Sequence, residues 1–332
     1  MAESSCFLSC DWGTSSFRLR LVERPGLKVL ETRRSDRGVG VFASEHQNPE
    51  ERARALEQYL AEQTEDILAA RPTAGAPCPI IVSGMASSSI GWHELPYARV
   101  PFDLDGAQAV TRAVTIRTTS QGAVPVTLVS GLRTSEDIMR GEETQIVGLL
   151  ADPELSGHRG SSTVILPGTH SKHVTIGSGK VLDFHTYMTG ELFNVIRNHS
   201  VLRHSTLEKP SVSTAASGTQ SAFVRGVQDA RSGGLAGALF RIRARDVLND
   251  VNPGQNTGYL SGLVIGSELN ELRDAAEGSP ILLCADQRLQ ASYHLALQTL
   301  GLGSLAVVVP ASRVLQATIR GQATLLDIGE TA

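Results

Sequence analysis

Short apolar runs separated by polar turns mark the beginning of the chain. Residues 5–11 form an apolar run that ends in an aspartate, and a polar Gly-Thr-Ser-Ser turn follows at 13–16. Apolar and polar residues then alternate over 17–22, and Pro-Gly at 25–26 precedes a third run that starts at 28. Alternation with period two between turn residues is typical of strands with one buried face. The pattern predicts two consecutive tight hairpins.

The same layout returns in the middle of the chain. Runs that predict strands at 163–166, 173–176 and 180–182 are separated by turns at 167–171 and 177–179. Both copies place Gly-Thr directly after the first strand, as Gly13-Thr14 and as Gly168-Thr169. A repeated supersecondary unit in the same order indicates a duplicated domain. We expect the two hairpin units to face each other across a cleft.

Strand and helix patterns alternate through the rest of the chain. Helical spacing of apolar residues predicts helices, and short apolar runs bounded by Gly or Pro predict strands. The predicted helices are 49–70, 136–150, 190–200, 219–231, 234–248, 287–300 and 312–326, and further strands are 79–83, 126–130, 279–284 and 305–309. The alternation predicts an α/β fold. Residues 209–219 are the most linker-like stretch.

Length and the position of the repeat suggest two domains. We predict an N-terminal lobe over 1–125 and a C-terminal lobe over 126–311, with the final helix at 312–332 packing on the first lobe.

Composition narrows the class of protein. The 332 residues carry 34 acidic and 30 basic side chains, a net charge of −4, which argues against a nucleic-acid partner. No apolar run reaches the length of a membrane span, and no basic segment precedes a signal-like stretch at the N-terminus. We therefore expect a cytoplasmic protein without a membrane partner. The four cysteines lack the spacing of a zinc site and are expected to be reduced thiols.

The two glycine turns suit phosphate binding. Backbone N–H groups and small hydroxyls can approach phosphate oxygens without steric conflict. Asp11 at the first turn suits Mg²⁺, held directly or through water, and Lys172 beside the second turn could neutralise phosphate charge. The chain has no P-loop, H-E-x-x-H or G-x-S-x-G motif. Residues 38–43 fit the loose dinucleotide pattern but not its strand–helix context.

Six motifs follow one another along nearly the whole chain. They are Asp11–Ser16, Gly84-Met85, Gly91–Tyr97, Met139–Gln145, Leu166–Lys172 and Met188–Phe193. Together they resemble the 2-dehydro-3-deoxygalactonokinases. The resemblance implies the actin/hexokinase/Hsp70 superfold, with two duplicated actin-like ATPase (ribonuclease H-like) lobes around a central cleft. It also implies a kinase that uses ATP and Mg²⁺ to phosphorylate the 6-hydroxyl of 2-dehydro-3-deoxy-D-galactonate in galactonate catabolism.

The resemblance assigns residues to the nucleotide. It implies that the N-terminal lobe carries the first phosphate hairpin and part of the sugar site, and that the C-terminal lobe carries the second phosphate hairpin and the adenosine site. The first phosphate motif would be Asp11, Gly13, Thr14, Ser15 and Ser16, and the second Gly168, Thr169, His170, Ser171 and Lys172. The adenosine side would fall near Gly262–Gly266 and the strand–helix start at 281–290. At that start, Cys284-Ala285 stands where relatives on the superfold often have Gly-Gly.

The catalytic base is expected among three carboxylates. Phosphoryl transfer to a hydroxyl needs a carboxylate near the attacking oxygen. In the superfold this group usually lies at the start of the helix between the phosphate motifs, which points to Asp137, Glu142 or Glu143. Glu142 and Glu143 would point about 100° apart on a helix, so at most one faces the site squarely. We favour the Glu pair, with its two members not separated.

The candidates for the sugar acid are small, aromatic or charged residues. They are Gly84, Met85, Ala86, Ser87, Trp92, Tyr97, Arg140, Thr189 and Glu191. The substrate carboxylate needs a cation or N–H donors, for which Arg133, Arg140 and His170 are available.

Two other functions remain open from the sequence. Glu142–Val147 also resembles the catalytic helix of exopolyphosphatases on the same fold, which would give a phosphatase. An ATP-gated regulatory protein is the third hypothesis. The epimer of the sugar acid stays open, and a homodimer is possible.

Overall fold

The computed structural model describes residues 6–70, 78–207, 217–248, 251–272 and 278–331. The chain forms two compact units. The first comprises the chain up to Arg159, Gly179–Asp183 and the segment from Leu315 onward, and the second comprises Gly160–Ser178 and Phe184–Val314. Most of the linker-like stretch at 209–219 lies outside the described residues.

The described chain contains short strands and helices of seven or more residues. The strands are β1 (Cys6–Trp12), β2 (Phe17–Glu23), β3 (Lys28–Ser35), β4 (Ile80–Gly84), β5 (Ala98–Arg99), β6 (Phe102–Asp103), β7 (Thr111–Thr118), β8 (Gly122–Val129), β9 (Leu132–Arg133), β10 (Ile138–Met139), β11 (Ser161–Leu166), β12 (Ser171–Gly177), β13 (Lys180–Tyr187), β14 (Ile281–Leu283) and β15 (Ala306–Val308). The helices are α1 (Val39–Glu45), α2 (Pro49–Ala70), α3 (Glu142–Leu150), α4 (Thr189–His199), α5 (Ser217–Val247), α6 (Pro253–Asn270), α7 (Gln287–Thr299) and α8 (Ala311–Thr331).

The two units repeat one sheet topology. In the first unit the strand order is β3-β2-β1-β4-β8-β7, with β1 antiparallel to β2 and parallel to β4. In the second the order is β13-β12-β11-β14-β15, with β11 antiparallel to β12 and parallel to β14. The start of β13 pairs with β6 inside the first unit. The predictions of an α/β fold and of an internal duplication are confirmed.

The central strand of the first sheet is buried on both faces because helices cover both. On one face Leu8 and Cys10 of β1 share a core with Leu56 and Leu60 of α2. On the opposite face, residues of the strands share a second core with Ile319, Leu325 and Leu326 of α8. Apolar residues therefore run continuously along β1, as expected for a strand without a solvent-facing side.

The last helix approaches α3 at van der Waals contact of the two backbones. A Cβ on Gly148 of α3 would lie 1.8 Å from the carbonyl oxygen of Ala317, and one on Gly321 would lie 1.9 Å from that of Thr144. Both glycines are required because any side chain would force the helices apart. This crossing ties α8 to the helix that begins with Glu142 and Glu143.

Most predicted elements are confirmed. The helix at 49–70 is present as predicted, and the predicted pair at 219–231 and 234–248 corresponds to two helical segments of α5 that meet at Gly234, whose φ of 65° and ψ of 169° are not helical. The helix predicted over 136–150 begins only at Glu142, because Ile138–Met139 form a strand with β9. The helices α1 and α6, the strand β7 and the two-residue strands β5, β6, β9 and β10 were not predicted.

The helix α6 had a readable start signal. Asn252 caps it with a reciprocal capping box to Gln255, and a proline occupies its first turn. That combination is a sequence signature of a helix N-terminus.

Within the described residues, no helix is long and apolar enough to cross a membrane.

Replacing Gly321 by alanine is expected to destabilise the protein by about 1–3 kcal/mol, because the new methyl overlaps the Thr144 carbonyl. The matched control is Gly237→Ala, an exposed helical glycine with open space around its Cα, where alanine should be neutral or stabilising by up to about 1 kcal/mol. Urea unfolding compares the two variants. Equal midpoints for both would contradict the close crossing.

Candidate active site

The first turn closes on itself at the end of β1. The amide of Gly13 donates to the carbonyl of Ser16 at 2.9 Å, and the side chains of Thr14, Ser15 and Ser16 are exposed. Asp11, the penultimate residue of β1, is partly exposed, and its carboxylate lies 3.5 Å from the guanidinium of Arg18 across the hairpin. The turn thus presents three hydroxyls and one carboxylate together. Arg18 was not predicted, although its place opposite Asp11 follows from hairpin register.

The start of α1 holds this turn from behind. The amide of Val39 donates to the Gly13 carbonyl and that of Gly40 to the Thr14 carbonyl, both at 2.9 Å. A Cβ on Gly38 would lie 2.3 Å from the Thr14 carbonyl oxygen, so only glycine allows this approach. The glycines that fit a loose dinucleotide pattern therefore serve to brace the turn.

Gly84 brings a second strand end to the same place. Trp12 and Gly84 are register partners in the parallel pair of β1 and β4. Gly84 has a φ of 97°, and a Cβ there would lie 2.6 Å from the Trp12 carbonyl oxygen. Gly141, which precedes α3, packs against the Cα of Gly84, where its own Cβ would be 3.4 Å away. The start of α3 therefore lies beside the carboxyl ends of β1 and β4.

The two glutamates at the start of α3 have different environments. Glu143 is only 4% exposed and accepts hydrogen bonds from the Gly141 amide at 2.7 Å and the Thr144 hydroxyl at 2.8 Å. Burial, together with the neighbouring Glu142 charge, raises the pKa of Glu143 to about 7 although those hydrogen bonds lower it. Glu142 is partly exposed and accepts from the Arg140 amide at 3.0 Å. Only Glu143 combines burial with a pKa near neutrality, a property typical of catalytic acids and bases.

Asp137 does not lie at a helix start. It precedes β10 in a turn where its backbone amide donates to the Thr134 hydroxyl at 2.8 Å and its carboxylate accepts from the Ile138 amide at 2.7 Å. The prediction that Asp137 lies at the start of a helix is therefore wrong, because a strand replaces the first turn of the predicted helix.

Arg140 gathers two of the predicted sugar-acid residues. Its guanidinium donates to the Ser87 hydroxyl at 2.6 Å and to the Leu95 carbonyl at 3.4 Å, and it lies 4.2 Å from the centre of the Tyr97 ring. Its Nε is buried and has no hydrogen-bond partner among the described residues. A fixed guanidinium with a spare donor is suited to a carboxylate.

The other predicted sugar-acid residues of the first unit pack into its core. Trp92 is 5% exposed, its amide donates to the Ala86 carbonyl at 2.7 Å, and its ring stacks on His93. Ala86 is buried and Met85 partly buried, and both pack in the core of the first unit.

The second turn is held in the same manner as the first. The amide of Glu191 in α4 donates to the Thr169 carbonyl at 3.1 Å, as that of Gly40 does to Thr14. A Cβ on Gly190 would lie 2.6 Å from the Gly168 carbonyl oxygen. Thr169 and His170 are exposed, and the His170 imidazole lies 2.5 Å from the Glu191 carboxylate. The duplication therefore includes α1, which follows β3, and α4, which follows β13.

Ser171 and Lys172, which follow the second turn at the start of β12, point inward. Lys172 is buried, and its ammonium donates to the His170 carbonyl at 3.3 Å. Ser171 is buried, and its hydroxyl donates to the carboxylate of Glu268 at 2.8 Å. Thr189 also donates to Glu268. Thr189 and Glu191 thus lie with the second turn in the second unit, whereas the other predicted sugar-acid residues belong to the first unit.

A cavity of about 520 Å³ opens beside the second turn. Its walls combine apolar side chains with hydroxyls and a charged rim. The lining residues include Gly168, Thr169, Gly190, Phe193, Leu207, Thr219, Phe223, Thr257, Gly258, Ser261, Asp286, Arg288, Leu289 and Ser292. An apolar concave site with few polar groups is typical of small-molecule binding.

The adenosine-side residues lie around rather than in this cavity. Gly262 and Gly266 are inside α6 on the face packed against α5, where a Cβ on Gly262 would lie 2.0 Å from the Phe223 carbonyl oxygen. Cys284 and Ala285 are buried at the end of β14. The cavity is lined instead by their neighbours Ser261, Asp286 and Arg288, the last two within the predicted strand–helix start at 281–290.

Comparison with known proteins identifies the family. The model of the family described as 2-keto-3-deoxy-galactonokinase matches residues 11–321. The chain belongs to this family.

Relatives and a solved structure agree with the family match. A probable 2-dehydro-3-deoxygalactonokinase of Rhizobium meliloti (strain 1021) is 33% identical over 92% of this chain and 94% of its own length. The 2-dehydro-3-deoxygalactonokinase of Escherichia coli (strain K12) is 31% identical over 91% and 92% of the two chains. A crystal structure from Sinorhizobium meliloti, provisionally assigned as the same kinase, matches with a TM-score of 0.75 at 31% identity, over 96% of this chain and 99% of that one.

Membership in the galactonokinase family confirms the prediction of a kinase. It does not favour the phosphatase or the regulatory protein. The sequence did not indicate the cavity hydroxyls or Glu268, because the residues around them come from distant segments.

The raised pKa of Glu143 predicts a pH-dependent stability. The folded protein holds this proton up to about pH 7, whereas the unfolded chain releases it near pH 4.5, so stability falls as pH rises through that interval. The side chain of Glu143→Gln stays neutral at every pH. The free energy of unfolding of this variant, measured relative to that of the native chain, should therefore rise by on the order of 3 kcal/mol from pH 5 to pH 8. Unfolding in urea at both pH values measures this difference.

The control is Glu142→Gln, which removes a partly exposed charge and should leave most of the native pH dependence in place. A Glu143→Gln chain with the same pH dependence as the native chain would contradict a buried, protonated Glu143.

Proposed function

We propose that this protein transfers the γ-phosphoryl group of ATP to the 6-hydroxyl of 2-dehydro-3-deoxy-D-galactonate, giving 2-dehydro-3-deoxy-6-phosphogalactonate and ADP. The observation that carries the proposal is the family match over residues 11–321, which includes both glycine turns and the start of α3. A cytoplasmic location is part of the proposal, because ATP is available there.

The phosphates of ATP would bind at the two turns. This assignment is supported by the repeated geometry of the turns. In each turn a helix amide donates to the threonine carbonyl, and the threonine, Thr14 or Thr169, is exposed. Fixed backbone donors and hydroxyls stabilise phosphate charge without reorganisation during the reaction. The adenosine would occupy the 520 Å³ cavity, which shares Gly168 and Thr169 with the second turn.

Asp11 fits the expected magnesium ion. Mg²⁺ is bound by one or two carboxylates, with phosphate oxygens and water in its other positions. The Asp11 carboxylate is partly exposed and stands beside the exposed hydroxyls of the first turn, with Arg18 as its ion-pair partner. When bound, the ion neutralises charge on the β- and γ-phosphates.

Glu143 is the proposed general base. The sugar hydroxyl oxygen attacks the γ-phosphorus, the bond to the β–γ bridging oxygen breaks, and the hydroxyl proton passes to the carboxylate. A base with a pKa of about 7 is half ionised at neutral pH and is strong enough to take a proton in the transition state. Its hydrogen bonds to the Gly141 amide and Thr144 hydroxyl fix the carboxylate orientation.

Arg140 is the proposed receptor of the sugar-acid carboxylate. Ser87, the Leu95 carbonyl and the Tyr97 ring hold the guanidinium in one position, so little side-chain entropy is lost on binding. Arg140 is partly exposed, and its guanidinium would donate to a carboxylate oxygen. Trp92 would form the apolar wall, and Thr189 and Glu191 would contact substrate hydroxyls.

The purified protein should release ADP from ATP only when 2-dehydro-3-deoxy-D-galactonate is present, in a coupled assay with magnesium. The gluconate-derived epimer, offered in parallel, reports which hydroxyl orientation is accepted. Release of inorganic phosphate without any acceptor would favour the phosphatase, and ATP binding without turnover of either sugar acid would contradict the kinase assignment.

The two glutamates are separated by turnover. Glu143→Gln should lower kcat by about 10²–10⁴-fold and abolish the rise of kcat with pH through about 7, because the amide cannot accept the proton. Glu142→Gln, the matched control one position away, should change kcat by no more than a few-fold. Steady-state kinetics between pH 5.5 and 8.5 tests both. A larger loss in Glu142→Gln would move the base to that residue.

A further inference from the structure

A buried carboxylate lies behind the second turn. Glu268 of α6 is 2% exposed and accepts hydrogen bonds from the Ser171 hydroxyl at 2.8 Å, the His173 imidazole at 2.8 Å and the Tyr293 hydroxyl at 2.7 Å. The Thr189 hydroxyl donates as well. Four donors therefore converge on one side chain in the interior of the second unit.

These donors come from the elements that surround the candidate nucleotide site. Ser171 follows the second turn directly, and Thr189 begins α4, whose Gly190 rests on the Gly168 carbonyl. Tyr293 lies on α7 one turn after Leu289, which lines the large cavity. Tyr293 and Thr189 also line a smaller cavity of about 120 Å³ that shares Gly168 with the larger one. Glu268 is thus the common partner of the turn and two helices that border the site.

Packing alone does not require a charge here. Transferring a carboxylate into the interior costs several kcal/mol, and apolar residues of similar volume often stabilise a core as well or better. Burial and the Glu268 charge both raise the pKa of Tyr293, which keeps its phenol a neutral donor. Unlike an apolar side chain, a carboxylate forms directional hydrogen bonds. Each of the four donors must therefore occupy one defined position to reach it.

We propose that Glu268 is a positioning residue that sets the second turn for the phosphates of the nucleotide. It fixes Ser171 at one end of the turn and, through Thr189, the start of α4 that supports Gly168 and Thr169. The inference rests on the proposed function for the identity of the ligand, and it makes Glu268 a determinant of affinity for the phosphates rather than for the nucleoside.

Titration calorimetry without a sugar acid tests this role in the full chain. Glu268→Gln should weaken ATP binding by roughly tenfold or more, because the amide cannot accept from four donors and the turn shifts. Binding of adenosine should stay within about twofold of the native value, because the cavity walls remain. Leu297→Ala, a buried core change on α7 that touches neither turn, is the control for general destabilisation and should leave both affinities unchanged.

Equal losses for ATP and adenosine in Glu268→Gln, or native affinity for both, would overturn the proposal. Should that variant fail to fold, Ser171→Ala removes one donor from the turn and should still weaken ATP more than adenosine, and unchanged ATP affinity there would likewise overturn it. If the unmutated protein binds ATP but does not phosphorylate the sugar acid, the proposed function is refuted and the role of Glu268 stands.

Discussion

A hydrogen bond from a helix amide to a threonine carbonyl holds the glycine turn of each unit, and the exposed position of the turn hydroxyls depends on it. The donor is Gly40 for Thr14 and Glu191 for Thr169, at 2.9 and 3.1 Å. The helix can come this close only where a Cβ is missing, as at Gly38 and Gly190. Backbone contact on one side leaves the turn hydroxyls exposed on the other, which is the arrangement that phosphate binding needs.

The support behind the two turns differs although the frame is repeated. In the first unit the buried amide of Gln322 donates to the Cys10 carbonyl at 2.7 Å and to the Ser83 hydroxyl at 2.8 Å, at the ends of β1 and β4. In the second unit the charged Glu268 accepts from four donors. Duplication has thus kept the strand order and the helix-to-turn bond, while the polar side chain in each interior has diverged.

The glutamate pair shows how environment separates adjacent residues of one type. Glu142 and Glu143 share a helix start, yet one is partly exposed and the other is buried with a pKa raised to about 7. The close crossing of α3 with α8 through Gly148 and Gly321 buries this helix. The proton affinity of the proposed base therefore depends on a helix more than 150 residues further along the chain.

The sequence by itself determined the hairpins, the internal duplication, the α/β class and the family, since alternation, turn residues and ordered motifs are local properties of the chain. It also contains the capping box of α6, a local signal for the helix in which Gly262 and Gly266 pack against α5. Tertiary structure alone decided that Glu143 is buried, that Asp137 precedes a strand, and that Glu268 meets Ser171 across 97 residues. Desolvation and close backbone approach depend on which distant segments meet, and no local pattern specifies that.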